Sequence, residues 1–449
     1  MRKKKISVGL VSLGCAKNAV DLQVAAGHLV GSGCVIAPDP DRCDVVLVNT
    51  CAFIEAAREE AVGEIQRACE LKRVGRCRAV VVGGCFAQRY GARLADLFPD
   101  VDAFLGIDAI DRIPEVLAHA LERGNGAAYV DIPSAEPRRI FDPPLPELRF
   151  SGAAFAYLKI AEGCAHRCSY CAIPAIRGRY RSRSMRSVLA EARALVKSGV
   201  RELNVIAQDP MLWGMDLKGG KRLVDLLWAI DRIKGDFWVR VLYSYPSEIT
   251  DAYLDWLNNS RHAVKYIDVP LQHTDPAVLK AMARGGAVKA TLSAAERLRA
   301  AVPGVTLRTT VMTGFPGETE EAFQRLLADV RRMAFDHLGA FAFSPEDGTK
   351  AAEMQGRPAA SVARRRERAV MAAQRRVWNA IAKRMVGKAF RALVVAPGVA
   401  RMESQAPDVD GVVLLERGAR SAAAPRVGDF IDVLLTAVDG YDFKGRAVK

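Results

Sequence analysis

The chain has 449 residues, which suggests about three domains at roughly 150 residues each. Half of its residues are hydrophobic, so several cores can form, but no apolar run reaches the roughly 20 residues that a membrane span requires. The net charge of +14 and the pI near 9.4 favour a polyanionic partner such as RNA or the ribosome, although a solvated basic surface would give the same totals.

The opening sequence, MRKKKISVGLVSLGC, is basic and then apolar, as a secretory signal is, but its apolar part is short and Lys17 and Asn18 follow it. We therefore expect a first strand in a cytoplasmic protein. Apolar runs within residues 1–133 alternate with stretches of helical spacing. Continuous apolar runs between helices predict an N-terminal α/β domain whose parallel sheet is covered on both faces.

Ten cysteines in a chain without an export signal indicate metal or redox chemistry rather than a disulfide framework. Cys15, Cys51 and Cys85 each follow an apolar run, about one strand–helix unit apart. Equivalent strand ends lie side by side in a parallel sheet, so these thiols are expected to converge and to bind an iron–sulfur cluster with one open iron. The alternative is that each is a small apolar plug, which explains the threefold coincidence poorly. The other cysteines of this region are interpreted as free, inert thiols: Cys34, Cys43, Cys69 and Cys77.

The segment 134–149 is rich in proline and charge, which predicts a linker. Over residues 150–385, six apolar runs alternate with helical stretches, as in a complete or partial parallel barrel with its active site at the carboxyl ends of the strands. Its last helix, 361–388, is long and basic. Residues 386–449 contain short apolar runs broken by Gly, Pro and Asp, which predict a small all-β barrel.

A second cysteine triplet lies where the first strand of the predicted barrel ends. Cys164, Cys168 and Cys171 have the spacing C-x3-C-x2-C, and three thiolates this close can bind one iron–sulfur cluster while leaving one iron open. Zinc is the competing interpretation, and it would need a fourth ligand such as His166. Three accidentally clustered buried cysteines are the least favoured alternative, because metal-ligand spacing is a strong signal.

This triplet, with Tyr170 before its last cysteine, resembles the radical S-adenosylmethionine superfamily. In that superfamily, S-adenosylmethionine binds the open iron, and an electron from the cluster cleaves it to a radical. The turn TGFPGETEE, residues 313–321, looks like the superfamily's cofactor-contacting turn. The resemblance implies cofactor contacts at four positions: Tyr170, Gly314, Gly317 and Glu318.

Further stretches resemble the methylthiotransferase family over nearly the whole chain: SLGCAKN, VNTCAFIEAAREE, GGCFAQRYG and EGCAHRCSYCAIPAIRGRYRSR. The resemblance implies an N-terminal methylthiotransferase domain, a radical barrel and a C-terminal barrel called TRAM. It implies two [4Fe-4S] clusters, an auxiliary one on the first cysteine triplet and a radical-generating one on the second. One S-adenosylmethionine would supply a methyl group, and another would supply the radical that removes hydrogen from an unactivated C–H bond.

The family's main branches modify either an adenosine beside the tRNA anticodon or an aspartate of a ribosomal protein. AIPAIRGRYRSR and YIDVPLQHTDPAVLKAMARG resemble the ribosomal-protein branch. Residues 390–449 contain eight Arg plus Lys and eight Asp plus Glu, and a neutral domain suits a basic protein better than RNA phosphates. We therefore expect the substrate to be an aspartate of small-subunit ribosomal protein number twelve, free or in the assembling ribosome, with the tRNA adenosine as the alternative.

The same resemblance implies an electron donor such as flavodoxin or ferredoxin and a separate sulfur donor, with no membrane partner. The positive charge lies in two other places, the arginines after the second triplet and those of the basic helix. Contact with ribosomal RNA, or with carboxylates of substrate or cofactor, is one interpretation of both groups, and a solvated surface is the other. They are Arg177, Arg179, Arg181, Arg183 and Arg186, and Arg364, Arg365, Arg366, Arg368, Arg375 and Arg376.

Overall fold

The computed structural model describes residues 5–124, 126–133, 136–146, 148–150, 152, 154–416 and 424–448. The N-terminal domain is a six-stranded parallel sheet in the order β2-β1-β3-β4-β5-β6. Its strands are β1 Ser7–Ser12, β2 Val35–Ile36, β3 Val45–Thr50, β4 Ala79–Gly84, β5 Ala103–Leu105 and β6 Tyr129–Asp131. Its helices are α1 Ala16–Gly31, α2 Glu55–Arg73, α3 Cys85–Tyr90, α4 Arg93–Leu97 and α5 Ile113–Glu122.

The central strands of this sheet are apolar on both faces, as predicted. Every residue of β3 is buried. Val46 and Val48 pack in the cluster that includes Ile65 of α2, whereas Val45 and Leu47 belong to the cluster formed with α1 and α5. Because successive side chains of a strand point to opposite faces, an uninterrupted apolar run is what a sheet covered on both sides requires.

The central domain is built from six parallel strand–helix units. Its strands are β7 Phe155–Lys159, β8 Ala161–Glu162, β9 Arg181–Ser182, β10 Glu202–Ile206, β11 Trp238–Val241, β12 Tyr266–Asp268, β13 Thr306–Thr313 and β14 His337–Ala342. Its helices are α6 Ile173–Arg177, α7 Met185–Lys197, α8 Leu223–Asp231, α9 Asp251–Asn259, α10 Pro276–Ala281, α11 Val288–Ala301, α12 Glu320–Met333 and α13 Ala360–Met385.

The six long strands form a partial barrel rather than a complete one. They are two parallel three-stranded sheets, β7-β10-β11 and β12-β13-β14, and a parallel bridge between Val239 and Ala263 links them. Among the described residues no ladder joins β7 to β14. The short strands β8 and β9 pair antiparallel and close the base of the loop that carries the second cysteine triplet.

The C-terminal domain is a closed five-stranded barrel in the order β15-β16-β17-β19-β18, which confirms the predicted small all-β barrel. Its strands are β15 Ala389–Ala396, β16 Val399–Met402, β17 Val413–Leu415, β18 Phe430–Asp439 and β19 Asp442–Val448. Trp378 of α13 packs into its core beside Val433 and Phe443, so the long helix joins the two barrels.

The predicted linker packs against the N-terminal domain. The carboxylate of Asp108 accepts hydrogen bonds from the backbone N–H groups of Arg138, at 2.6 Å, and Arg139, at 3.0 Å. A Cβ added to Gly27 of α1 would lie 2.6 Å from Pro144 Cγ, so the linker and α1 are in close contact. Residues 134, 135 and 147 of this segment lie outside the described residues.

None of the helices in the described part of the chain is long and apolar enough to cross a lipid bilayer.

Candidate active site between two cysteine triplets

The first cysteine triplet lies at the carboxyl ends of three neighbouring strands. Cys15 precedes α1, Cys51 follows β3 directly and Cys85 opens α3 after β4, and β1, β3 and β4 are adjacent in the sheet. The turn before α1 places Gly14 at φ +89°, where a Cβ would lie 2.7 Å from Cys51 Cβ and 3.0 Å from its Sγ. The absence of a side chain at Gly14 therefore lets the Cys15 turn approach Cys51 closely.

Positive charge surrounds these thiols. Cys15 is exposed, and although desolvation raises its pKa, Lys17 and Arg177 together bring the pKa below the ordinary value. Burial raises the pKa of Cys51, and it raises the pKa of Cys85 to about 12 against the opposing effect of Arg177. Arg177 Nη2 lies 3.1 Å from Cys85 Sγ. A cation at this distance favours the thiolate form that a metal cluster would require.

Arg177 belongs to a buried network that crosses from the N-terminal domain to the barrel. Its guanidinium lies 2.7 Å from Asp21 Oδ2 of α1 and 3.0 Å from Glu162 Oε2 of β8. Lys159 contacts the same two carboxylates, with Nζ 2.8 Å from Glu162 Oε2. Opposite charges thus balance one another where the two domains meet, as buried charges must.

The second triplet lies on the loop between β8 and β9. Ser169 fastens this loop to the barrel, because its N–H donates to Met282 O at 3.1 Å and its Oγ donates to Ala281 O at 2.9 Å. Burial, with a smaller contribution from the nearby Cys168, raises the pKa values of Cys164 and Cys171 to about 12. Arg284 Nη1 lies 3.8 Å from Cys168 Sγ and supplies the cation at this site. The structure therefore brings the three predicted cysteines of this triplet together.

The zinc interpretation of the second triplet finds no support. His166 Nε2 lies 2.6 Å from Asp209 Oδ2, and the ring stacks on Tyr245 with centroids 3.8 Å apart, so His166 is engaged away from the cysteines. Nowhere in the described chain do three or more His, Cys, Asp or Glu side chains surround a point for a single metal ion. A four-iron cluster does not require the three thiols to surround a single point, since each cysteine binds a different iron. Three thiolates with a cation beside them fit that group.

The cofactor-contacting turn predicted after β13 is held by the Glu318 carboxylate. Glu318 is buried, accepts from the Gly314 N–H, lies 2.8 Å from Arg366 Nη1 and 3.3 Å from His273 Nε2. The Gly317 N–H donates to Gly356 O at 3.0 Å. The carboxylate therefore shapes the turn from within. Contact of this turn with a cofactor stays a prediction.

A cavity of about 480 Å³ lies between the N-terminal domain and the barrel. One wall is the segment 53–56, which starts two residues after Cys51, and another contains Tyr170 of the second triplet's loop. Gly314 and the segment 341–346 complete the barrel side. The cavity is therefore lined by sequence neighbours of one cysteine from each triplet, Cys51 and Cys171, and not by the cysteines themselves.

Several polar groups near the strand ends are potential ligand contacts that the sequence did not reveal. Within the described residues, Gln208 Oε1, Gln272 Oε1 and Thr274 Oγ1 are buried without a hydrogen-bond partner. Gln272 and Tyr243 have φ values of +70° and +74°, an unfavourable conformation for residues with side chains. Unpaired polar atoms at the carboxyl ends of barrel strands suit a polar ligand such as S-adenosylmethionine. The only feature of the sequence that points to these residues is their position just after predicted barrel strands.

The structure contradicts one interpretation of the arginines after the second triplet. Arg177 and Arg183 are buried and pair with the protein's own carboxylates, Arg183 with Asp142 at 2.7 Å and with Glu191. They are not available to RNA or to a substrate, because the loop folds back onto the domain boundary. Arg366 of the basic helix is likewise buried, against Glu318 and Glu320.

Comparison with known families and structures agrees with this architecture. Residues 7–106 match the model of uncharacterized protein family UPF0004, residues 158–330 match the radical SAM superfamily and residues 386–448 match the TRAM domain. The structure of the radical S-adenosylmethionine methyltransferase TsrM from Kitasatospora setae covers 94% of this chain and 84% of its own, with a TM-score of 0.54. At 19% sequence identity this likeness shows a shared fold.

Two relatives are much more similar in sequence. The ribosomal protein uS12 methylthiotransferase RimO of Syntrophus aciditrophicus is 40% identical over 446 residues, with 98% of both chains covered. The RimO of Geobacter sulfurreducens is 40% identical over 455 residues, with 100% of both chains covered. Since the similarity extends over all three domains, this chain belongs to the ribosomal protein uS12 methylthiotransferase RimO family of radical SAM enzymes.

Proposed function

We propose that this enzyme converts an aspartate of ribosomal protein uS12 to 3-methylthioaspartate. The observation that carries the proposal is that one cavity is lined by residues beside both predicted cysteine centres, Phe53 near Cys51 and Tyr170 next to Cys171. A reaction that joins radical formation to sulfur transfer needs two such centres within reach of one substrate atom.

The residues present fit two iron–sulfur clusters. Cys164, Cys168 and Cys171 would bind the cluster that acts on S-adenosylmethionine, and Cys15, Cys51 and Cys85 would bind the auxiliary cluster. When bound, these groups supply the electron that cleaves one S-adenosylmethionine and the site for the methylthio group, whose methyl comes from another. Tyr170, Gly314, Gly317 and Glu318 stay the predicted surroundings of the cofactor.

The chain's own side chains hold and charge-balance this site. Arg177 and Arg284 place cations beside the thiols of the two triplets. The apolar walls of the cavity, among them Phe53, Phe341 and Phe343, exclude water from the reacting groups. Arg357 also lines the cavity and offers a partner for the substrate's carboxylate.

The remaining partners follow from this chemistry. Protein uS12 is met either free or in the assembling ribosome, in the cytoplasm. The further partners of the proposed reaction are an electron donor such as flavodoxin or ferredoxin and a sulfur donor.

The test is mass spectrometry of uS12 after incubation with the anaerobically reconstituted enzyme, S-adenosylmethionine and a reductant. We expect a methylthio group on one aspartate and about eight irons per chain, the sum of two four-iron clusters. Parallel incubation with tRNA tests the alternative substrate. Modification of tRNA adenosine with unmodified uS12 would overturn the proposal, as would a fully methylthiolated uS12 in a strain that lacks this chain.

A further inference from the structure

The solvent face of α13 carries a stripe of cations. The helix has 26 residues, which makes it roughly 39 Å long. At about 100° per residue, six of its exposed cations fall within an arc of about 120°, and Arg384 lies outside that arc. We call this set the α13 stripe: Arg364, Arg365, Arg368, Arg375, Arg376 and Lys383.

The charges of the α13 stripe are not neutralised within the protein. Among the described residues, no carboxylate forms an ion pair with any of these six cations. Glu367, the only acidic residue of the helix, lies outside the arc, and Glu320 is close to Arg365 but pairs with the buried Arg366 at 2.9 Å. Some exposed cations elsewhere do form ion pairs, such as Arg391 with Asp236 at 2.7 Å.

The opposite face of α13 is already occupied. Ala363 lies against the turn at Gly314, Val370 and Ala373 pack against α12 and the strands β13 and β14, and Trp378 and Ala382 pack into the C-terminal domain. No large apolar side chain of the helix is exposed. The helix therefore has no large apolar face to insert into a lipid bilayer or to dock a partner helix, and its fully exposed charged residues are all cations.

The α13 stripe begins at the cavity between the N-terminal domain and the barrel. Arg364 lines that cavity together with Tyr170 and Gly314. The other members extend away from it towards the C-terminal domain, where Arg375 lies 5.9 Å from the ring of Tyr441. A polyanion bound along the stripe would thus have one end beside the reacting residue.

We propose that the α13 stripe binds the phosphate backbone of ribosomal RNA and so positions uS12 within the small subunit for modification. This inference rests on the proposed function. Five of the six cations are arginines, whose planar guanidinium groups match phosphate geometry. The C-terminal domain, by contrast, is neutral by residue count. A single-sign stripe without apolar anchors suits an RNA backbone better than an acidic protein, because protein interfaces also need buried apolar contacts.

The test variant replaces Arg365, Arg368, Arg375 and Arg376 with glutamine and leaves Arg364 at the cavity. The matched control neutralises four exposed cations at and beyond α7: Arg193, Lys197, Lys218 and Lys221. Binding to small ribosomal subunits and to free small-subunit rRNA is measured over a salt series. Methylthiolation is measured on subunit-bound uS12 and on isolated uS12.

We expect the α13 variant to lose about tenfold or more in rRNA affinity, with a salt dependence flatter by about one per lost phosphate contact. Modification of subunit-bound uS12 should fall similarly, and modification of isolated uS12 should not change. The control variant should resemble the wild type throughout. Circular dichroism and thermal unfolding confirm that both variants are folded.

Unchanged rRNA binding by the α13 variant would overturn the inference, as would equal losses in the two variants. Equal loss of binding to rRNA and to a polyglutamate peptide would assign the stripe to acidic proteins instead. If the wild type fails to modify uS12 in either form, the proposed function is wrong. The rRNA-binding measurements still test, independently, whether the α13 stripe binds RNA.

Discussion

At the scale of single residues, Arg177 links the first cysteine triplet to the barrel domain. It contacts Cys85 in one domain and Glu162 in the other, and it is 1% exposed. Because Asp21 and Glu162 are buried with it, removal of the guanidinium leaves carboxylates without sufficient counter-charge.

Arg177→Ala is therefore expected to lower the free energy of unfolding by about 3–5 kcal/mol. Urea unfolding of the cluster-free protein measures this directly. Arg179→Ala is the matched control, because its side chain is 90% exposed and two positions away. It should change stability by no more than about 0.5 kcal/mol. Equal stability of the two variants would show that Arg177 does not balance the buried carboxylates.

Cys51→Ala separates the two proposed clusters. We expect iron to fall from about eight to about four atoms per chain and methylthio transfer to be lost, while cleavage of S-adenosylmethionine largely persists. Cys69→Ala is the control, since Cys69 is also buried but packs in the apolar cluster beneath α2. Normal product formation by Cys51→Ala would place the auxiliary cluster elsewhere.

The sequence predicted the cysteines of the two sites but not the buried cation, Arg177, that lies beside one of them. Cys15, Cys51 and Cys85 recur with the strand–helix period, so their convergence followed from the geometry of a parallel sheet. Arg177 belongs to a basic run, RGRYRSR, in which all arginines look alike. Which of them is buried depends on how the loop folds back onto α1, and local sequence carries no sign of that.

At the scale of secondary-structure elements, the long strands were predictable and the shortest were not. The runs at β3, β4, β10 and β13 are apolar or alternate clearly. The edge strand β2 has two residues, too few for any periodicity. Nor did the sequence show that the segment 403–410 of the C-terminal domain would dock at the start of the barrel strands, where Arg240 donates to Glu403 O at 2.7 Å.

That docking depends on Glu202, the first residue of β10. Its side chain is 0% exposed and accepts from Arg240 Nε at 2.8 Å and from Arg401 of the C-terminal domain. Glu202→Ala leaves two buried arginines uncompensated and should cost about 3–5 kcal/mol of unfolding free energy. It should also accelerate proteolysis between α13 and β15. Glu296→Ala, at an exposed site, is the control and should be nearly neutral.

The same ion pairs predict a dependence on pH. Burial raises the pKa of Glu202, but Arg401 and Arg240 outweigh burial and bring the pKa below its ordinary value. A carboxylate with a lowered pKa in the folded state stabilises the fold above the unfolded pKa, and the effect is lost as pH falls through the folded value. Wild-type stability should therefore decrease below about pH 4.3, and the Glu202→Ala variant should decrease less steeply over that range. Parallel slopes in acid unfolding would contradict this.

At the scale of the whole molecule, function depends on how the N-terminal domain sits on the barrel. The sequence predicted both domains but not their contact, because the residues that join them are far apart in the chain. Arg58 and Glu346, 288 positions apart, form one such pair, and Arg89 Nη1 lies 2.8 Å from the same carboxylate. Glu346 also lines the cavity between the N-terminal domain and the barrel. Its contact with Arg58 and Arg89 therefore helps to fix the distance between the two domains, and with it the distance between the two proposed centres.

Glu346→Gln tests whether this contact couples the two centres. The substitution keeps the shape of the side chain but removes the negative charge that Arg58 and Arg89 share. The second triplet is untouched, so cleavage of S-adenosylmethionine should continue. Transfer to uS12 should fall about tenfold or more, because small displacements of reacting groups have large effects on rate.

The ratio of 5′-deoxyadenosine formed to uS12 methylthiolated measures this uncoupling. It should rise in Glu346→Gln and stay at the wild-type value in Glu353→Gln, whose side chain belongs to an exposed residue of the same region. Chromatography of the nucleoside and mass spectrometry of uS12 give both quantities from one reaction. If the ratio is the same in the two variants, the N-terminal domain is held in register by contacts other than Glu346, and the apolar walls of the cavity would be the next to test.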